Sequence, residues 1–207
     1  MLKVAAGDVV AIPATKAGEL GFVLSRVIVP ASTLTIEVFR DFHTNLAITE
    51  SEIRACDFSA SNRLFNPVYA AFDFGKHFGA VKWPILLKDL KFDKESSGYC
   101  DIEFEDASEY EEFGRYYRGD EECHEPPGVR RNLESRTIYS NHQLVHRINL
   151  HLAGYLKVGE PLNPERTRRA IQANGKDWWV NGINACNGLS DLIAKRLIES
   201  RRHKKKP

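Results

Sequence analysis

Residues 1–57 alternate between apolar runs and short polar breaks, as β-strands do. The predicted strands cover residues 8–13, 20–29 and 33–39. In the third strand Leu34, Ile36 and Val38 share one face, and the many β-branched residues of these runs suit a pleated, half-buried surface. Residues 16–19 supply a turn between the first two strands. The pattern predicts a small curled antiparallel β-sheet, or an SH3-like barrel, at the N-terminus.

A second β-rich stretch covers residues 64–92, with strand-like runs at 67–72 and 81–87. Pro84 has no amide hydrogen to give to a neighbouring strand, so the later run is expected at a sheet edge or a bulge.

A helix is predicted after Asn141, because an Asn side-chain oxygen can accept the free amide hydrogens of a first helical turn. One apolar stripe at near-helical spacing follows, formed by Leu144, Val145, Ile148 and Leu152. Gly154 lies where a helix would end.

The C-terminal part is predicted to be helical and basic. Helices are expected from Asn163 and over residues 189–198, and the chain from residue 163 carries eleven Lys and Arg against four Asp and Glu. The pattern as a whole predicts an α+β fold. It divides into a β-rich domain over 1–157 and a basic helical extension over 158–207, packed on that domain and ending in a flexible tail.

Residues 101–125 are unusually acidic, with eleven Asp and Glu opposed only by Arg115 and Arg118. Five aromatic residues are interleaved with the acids. Acids steer a basic partner toward a surface, and aromatic side chains anchor interfaces, although runs of charge are usually solvated faces. The predicted partner-binding residues are Glu103, Glu105, Asp106, Glu109, Tyr110, Glu111, Glu112, Phe113, Tyr116, Tyr117, Asp120, Glu121 and Glu122.

The composition and net charge of the chain limit the classes of partner and the location that are expected. The 207 residues are 43% hydrophobic and 28% charged, with a formal net charge of +1, so no global field draws the chain to nucleic acid or membrane. No apolar run is long enough to cross a membrane, and Gly7 and Asp8 interrupt the first apolar run, unlike a signal peptide. A cytoplasmic location and reduced cysteines are expected.

Candidate catalytic chemistry is sparse. No nucleophile-elbow, phosphate-loop or dinucleotide-binding motif occurs in the sequence. His142 and His146 stand four apart, which suits a metal pair on one helix face, but no Glu stands between them in the HExxH manner. A solvated helix face is the preferred interpretation. We therefore expect no enzyme activity, no catalytic residue, no metal site and no cofactor.

Three groups of segments resemble, in order and spacing, the immunity protein 26 family of bacterial polymorphic-toxin and contact-dependent growth inhibition systems. They are Gly7–Pro13 with Leu20–Leu24, Pro67–Val68 with Lys82–Ile85, and Asn132–Glu134 with His142–Ile148 and Gly154. The resemblance covers roughly residues 5–155, and the basic extension departs from it. It implies a non-catalytic bacterial protein that binds and neutralises a cognate toxin domain, but carries over no functional residues.

The leading hypothesis is therefore an immunity protein that occludes the active site or an exosite of a toxin domain, with a nuclease among the candidates. The alternative is a nucleic-acid-binding or regulatory module that uses the basic C-terminal helices, and a third is a metal-dependent enzyme using His142 and His146. The acidic segment and the basic C-terminus could also pair within one molecule.

Overall fold

The computed structural model describes residues 4–71, 83–106, 115–123 and 133–161, together with Lys195, Arg196, Glu199 and Arg202. The described strands are β1 (Asp8–Lys16), β2 (Glu19–Pro30), β3 (Leu34–His43), β4 (Val68–Ala70), β5 (Ile85–Lys88), β6 (Glu103–Asp106), β7 (Arg115–Arg118), β8 (Glu121–Cys123), β9 (Glu134–Ser135) and β10 (Ile138–Tyr139). The α-helices are α1 (Glu50–Arg54) and α2 (Asn141–Leu152).

The larger sheet, sheet 1, has the strand order β10-β4-β3-β2-β1-β5 and is antiparallel except for the β10–β4 pair. Strands β1 to β3 lie where the apolar runs predict them and extend further at one or both ends. Strand β5 forms one edge and begins directly after Pro84, as that proline predicts. Residues 83 and 84 of the predicted strand are described but precede β5, and residues 81 and 82 lie outside the described residues.

A two-residue turn joins β1 to β2. Ala17 and Gly18 both have positive φ, at 50° and 81°. This is the backbone that a type I′ hairpin requires, since its twist matches that of the two strands. Glycine adopts it freely, whereas Ala17 accepts a left-handed conformation at some cost.

Alternation along the strands of sheet 1 builds a separate apolar core on each face. Ile12, Ile36 and Val38 point to one face, where helix α2 covers them. Ala11 and Phe39 point to the opposite face and pack with α1 and the loops around it. Because both faces are covered, the described strands of sheet 1 are almost entirely buried along their centres.

The second sheet, sheet 2, has the order β8-β7-β6-β9. Strands β6, β7 and β8 are antiparallel, and β9 joins β6 in parallel. A small third core connects the two sheets, in which Phe104 of β6 packs with Tyr69 of β4, Ile28 of β2 and Tyr99. Sheet 2 is therefore held against one end of sheet 1.

The predicted fold class is wrong. The described residues are mainly β-structure, with ten strands in two sheets, and only α2 among the two α-helices exceeds seven residues. The physical reason lies in the described part of residues 101–123, whose acids indicated a solvated segment but in which 103–106, 115–118 and 121–123 pair as strands. Of the predicted helical extension, the structure describes residues 158–161 and Lys195, Arg196, Glu199 and Arg202. Only the last four residues are helical, and they are exposed.

Helix α2 begins one residue earlier than the predicted cap indicates. Ser140, and not Asn141, is the N-cap: its hydroxyl accepts from the Gln143 amide while the Gln143 side chain accepts from the Ser140 amide. This reciprocal pair is a capping box. The predicted end is confirmed, since Gly154 has φ 81° and its amide donates to the His151 carbonyl.

A buried charged triad crosses sheet 1 on the α1 side. The Glu37 carboxylate, which is fully buried, accepts from Arg26 Nε at 2.6 Å and from Arg63 Nε at 2.7 Å. Arg26 also lies 4.5 Å from the centre of the Phe92 ring, and Arg63 donates to the Ser97 carbonyl. One carboxylate thus binds two guanidinium groups and links the neighbouring strand β2 and the segment around Arg63 to the central strand β3.

Replacing Glu37 by Gln removes the only carboxylate of this triad and leaves two buried guanidinium groups without a counter-charge. We expect the free energy of unfolding to fall by about 3–5 kcal/mol, measured by urea denaturation. The matched control is Glu19→Gln, because Glu19 is exposed, and should change stability by less than about 0.5 kcal/mol. Equal stability of the two variants would contradict a structural role for the triad.

Candidate functional site

Sheet 2 carries the described part of the predicted partner-binding segment. Residues opposite one another on neighbouring strands point to the same side of a sheet, and successive residues point to opposite sides. Glu105 pairs with Tyr116, which pairs with Cys123, and Glu103 pairs with Arg118, which pairs with Glu121. One side, here called the acidic face, therefore carries Glu103, Glu105, Tyr116, Arg118, Glu121 and Cys123.

The acidic face is the side of sheet 2 directed away from sheet 1. Phe104, which points to the other side, is fully buried, whereas Glu103 and Glu105 are half-buried and Glu121 is exposed. Arg118 is the one basic residue on this face among the described residues, and it donates to Glu103 at 3.1 Å. Because this pair neutralises itself, Glu105 and Glu121 leave a net negative charge around the Tyr116 ring.

The structure separates the two adjacent tyrosines that the sequence groups together. Tyr116 lies on the acidic face, while Tyr117 faces the third core. The guanidinium of Arg136 lies 3.7 Å from the centre of the Tyr117 ring and 4.8 Å from that of Tyr69. Tyr117 therefore takes part in packing the two sheets, and of this pair only Tyr116 is available as a surface anchor.

The remaining predicted residues are dispersed. Asp106 and Glu122 fall on the side of sheet 2 opposite the acidic face but are exposed, and Asp120 lies in the turn between β7 and β8. Five predicted residues lie outside the described residues: Glu109, Tyr110, Glu111, Glu112 and Phe113. The assignment of this surface as a partner-binding site stays a prediction.

Asp120 belongs to a hydrogen-bonded chain that joins the sheets. The Lys94 ammonium donates to Asp120 at 2.9 Å, the Tyr99 hydroxyl donates to Asp120 at 2.8 Å, and the Tyr99 and Tyr69 hydroxyls are 3.1 Å apart. Burial raises the pKa of Asp120, but the hydrogen bonds from Lys94 and Tyr99 outweigh it and hold that pKa below its ordinary value. Burial, followed by its hydrogen bonds, raises the pKa of Tyr99 above its ordinary value. Asp120 is thus fixed as a carboxylate that anchors a turn.

The preferred interpretation of His142 and His146 as a solvated helix face is wrong for His146, which is 4% exposed. The reason is that α2 is enclosed on more than one side, with Leu144 and Ile148 packed on sheet 1 and Arg147 turned toward strand β9. The His142 side chain lies outside the described residues.

His151 is buried as well, at 5% exposed, and its ring lies 5.1 Å from that of Phe65. Burial and the charge of Arg147, one helical turn away, lower its pKa to about 3. A histidine held neutral in this way is a core residue.

The chemistry of a metal site is not assembled in the described part of the chain. Across 4–71, 83–106, 115–123 and 133–161, no group of three or more His, Cys, Asp or Glu is placed to hold a metal ion. Cys56, Cys100 and Cys123 are free thiols, and Cys186 lies outside the described residues. Among the described helices, none has the length and apolar character needed to span a membrane.

Sequence reasoning missed the buried ion pair between Arg147 of α2 and Glu134 of β9. Both side chains are at most 1% exposed, and the two guanidinium nitrogens donate to the two carboxylate oxygens at 2.7 and 2.8 Å. Burial lowers the pKa of Arg147, but the charge of Glu134 and its hydrogen bonds hold that pKa above the ordinary value. A signal was present in the sequence: Arg147 lies beside Ile148 within the apolar stripe of α2.

Comparisons with known proteins find no family model, no curated protein and no solved structure that matches this chain. The resemblance to immunity protein 26 therefore stands on the sequence segments alone.

The buried histidines predict how stability depends on pH. Folded His151 stays neutral down to about pH 3, whereas the unfolded chain binds its proton below pH 6.5, so acidification over this window favours unfolding. His151→Leu removes this proton, and its free energy of unfolding should fall less steeply with acid than that of the wild type, by up to about 1.4 kcal/mol per pH unit. Urea denaturation of both proteins between pH 4.5 and pH 8 measures the difference, and parallel curves would contradict it.

Proposed function

We propose that this protein is a non-catalytic binding protein that neutralises a bacterial toxin domain, as immunity proteins do. The observation that carries the proposal is the acidic face of sheet 2, where Glu105 and Glu121 surround Tyr116 on the side directed away from sheet 1. The resemblance to immunity protein 26 supplies the class of partner.

The carboxylates and the tyrosine of the acidic face suit a positively charged protein partner. Uncompensated carboxylates raise the local concentration of a cationic partner and speed its association. A half-buried tyrosine supplies apolar area and a hydroxyl at a small entropic cost, which is why tyrosine is frequent among residues that dominate binding energy. The combination fits a positively charged protein surface, such as the one with which a nuclease holds phosphates.

Inhibition by binding requires no chemistry from this chain. An inhibitor that covers an active site or a neighbouring exosite needs a rigid surface, and sheet 2 is tied to sheet 1 by an apolar core and by Asp120. The proposal therefore assigns no catalytic residue and no cofactor to the protein.

Reversing charge on the acidic face should slow association with the cognate toxin domain. The variant Glu105→Lys/Glu121→Lys is expected to lower the association rate constant by about tenfold at low salt, with the difference shrinking as salt screens the charges. Surface-binding kinetics across ionic strength provide the measurement. The matched control, Glu19→Lys/Lys16→Glu, alters two exposed residues of sheet 1 and should associate at the wild-type rate.

Unchanged kinetics in the acidic-face variant would remove this surface from the proposal. The competing nucleic-acid function is tested with the same preparation by titrating duplex and single-stranded DNA and RNA across salt. Tight binding with a steep salt dependence would favour that function instead.

Truncating Tyr116 to Ala should act mainly on dissociation, because an anchor holds a complex that has already formed. We expect the dissociation rate constant to rise by about thirtyfold, the equivalent of a loss of about 2 kcal/mol. Tyr155→Ala is the control, since Tyr155 is 67% exposed and lies after α2, outside the strands that form the acidic face. Equal dissociation rates for the two variants would argue against Tyr116 as an anchor.

A further inference from the structure

The chain crosses from sheet 2 to sheet 1 within a very short stretch, here called the crossover segment, residues 134–139. Strand β9, at one end of the segment, pairs with β6 of sheet 2, and strand β10, at the other end, pairs with β4 of sheet 1. Only Arg136 and Thr137 separate the two strands. The relative position of the sheets therefore depends on how this segment is held.

Arg147 binds both ends of the crossover segment. Its guanidinium makes two parallel hydrogen bonds to Glu134 of β9 and donates to the Tyr139 hydroxyl of β10 at 2.9 Å. The same group lies 4.1 Å from the centre of the Phe65 ring and also donates to the Glu160 carbonyl at 3.3 Å. One side chain on α2, a helix that packs on sheet 1, thus contacts a residue from each sheet.

The energetics of such a pair indicate what it contributes. Removing two charges from water costs several kcal/mol, and the attraction between them often does no more than offset that cost, so a buried ion pair is a weak source of stability. A two-pronged guanidinium–carboxylate contact is strongly directional, however, because both donors must meet both oxygens. The main contribution of the pair is therefore to orientation.

The pairing of β9 with β6 links the Arg147–Glu134 ion pair to the acidic face. Glu134 lies opposite Phe104, Ser135 lies opposite Glu105, and the Arg136 amide donates to the Glu105 carbonyl at 2.9 Å. Fixing Glu134 fixes β9, and β9 holds the β6 backbone that presents Glu103 and Glu105.

We propose that Arg147 and Glu134 are positioning residues that set the orientation of sheet 2 on sheet 1 and thereby the presentation of the acidic face. This inference rests on the proposed function for the effect on toxin binding. The effect on the orientation of sheet 2 concerns the free protein alone. Both side chains are buried, so their effect on binding would be indirect.

The first experiment measures amide hydrogen exchange in the free, full-length chain. In Glu134→Gln the Arg136 amide and the β6–β7 amides should exchange about a hundredfold faster, because a buried guanidinium loses its counter-charge, and the acceleration of the β1–β2 amides should be at least about tenfold smaller. Equal acceleration in β1–β2 would overturn the proposal, since the pair would then serve the stability of the whole fold.

The second experiment separates orientation from stability. The double variant Glu134→Gln/Arg147→Met removes both charges of the buried pair together, so its unfolding midpoint in urea should lie close to that of the wild type. Its affinity for the cognate toxin domain should still fall by about tenfold, because the directional contact is gone. Arg147→Lys, which keeps the charge and loses the two-pronged geometry, should likewise fail to restore wild-type affinity.

Wild-type affinity in the double variant would overturn the proposal, as would failure of both Glu134→Gln and the double variant to fold. If the wild-type chain does not bind the toxin domain at all, the proposed function fails. The exchange measurement then still decides whether the pair orients sheet 2.

Discussion

The fold depends on how two sheets, whose apolar contact among the described residues is small, are held in one arrangement. Sheet 1 has a core on each face, but sheet 2 meets it through the few side chains around Phe104 and Tyr69. Polar contacts supply the remainder: Arg147 with Glu134 at the crossover, and Tyr99 with Asp120 at the turn of the β7–β8 hairpin. Apolar burial is non-directional, whereas these hydrogen bonds specify one geometry.

The same arrangement determines which surface is available for function. Helix α2 covers one face of sheet 1, and α1 with its neighbouring loops covers the other. The acidic face of sheet 2 has no such cover among the described residues, and it concentrates carboxylates around one tyrosine. The carboxylates of this face would steer a cationic protein toward it, and the tyrosine would anchor that protein once bound. The proposed function requires a surface of this kind.

The sequence predicted sheet 1 well and sheet 2 poorly, for physical reasons. Strands β1 to β3 alternate or run apolar, and Ile36 and Val38 share a core face as their spacing indicates. In sheet 2 the short strands are dense in acids, and the parallel β6–β9 pairing joins residues 30 apart, which no local pattern encodes. The interpretation of His146 as part of a solvated helix face failed for a related reason: its burial depends on the tertiary packing of α2, which the spacing of two histidines does not report.

The central claim is that this chain neutralises a toxin domain by binding it. The most direct measurement is growth of bacteria that express the cognate toxin domain, with and without this chain supplied from a second plasmid. If the chain neutralises the toxin domain, the toxin alone arrests growth and co-expression of the wild-type chain restores it. Continued arrest, with both proteins present in soluble form at comparable levels, would contradict neutralisation of the toxin domain by this chain.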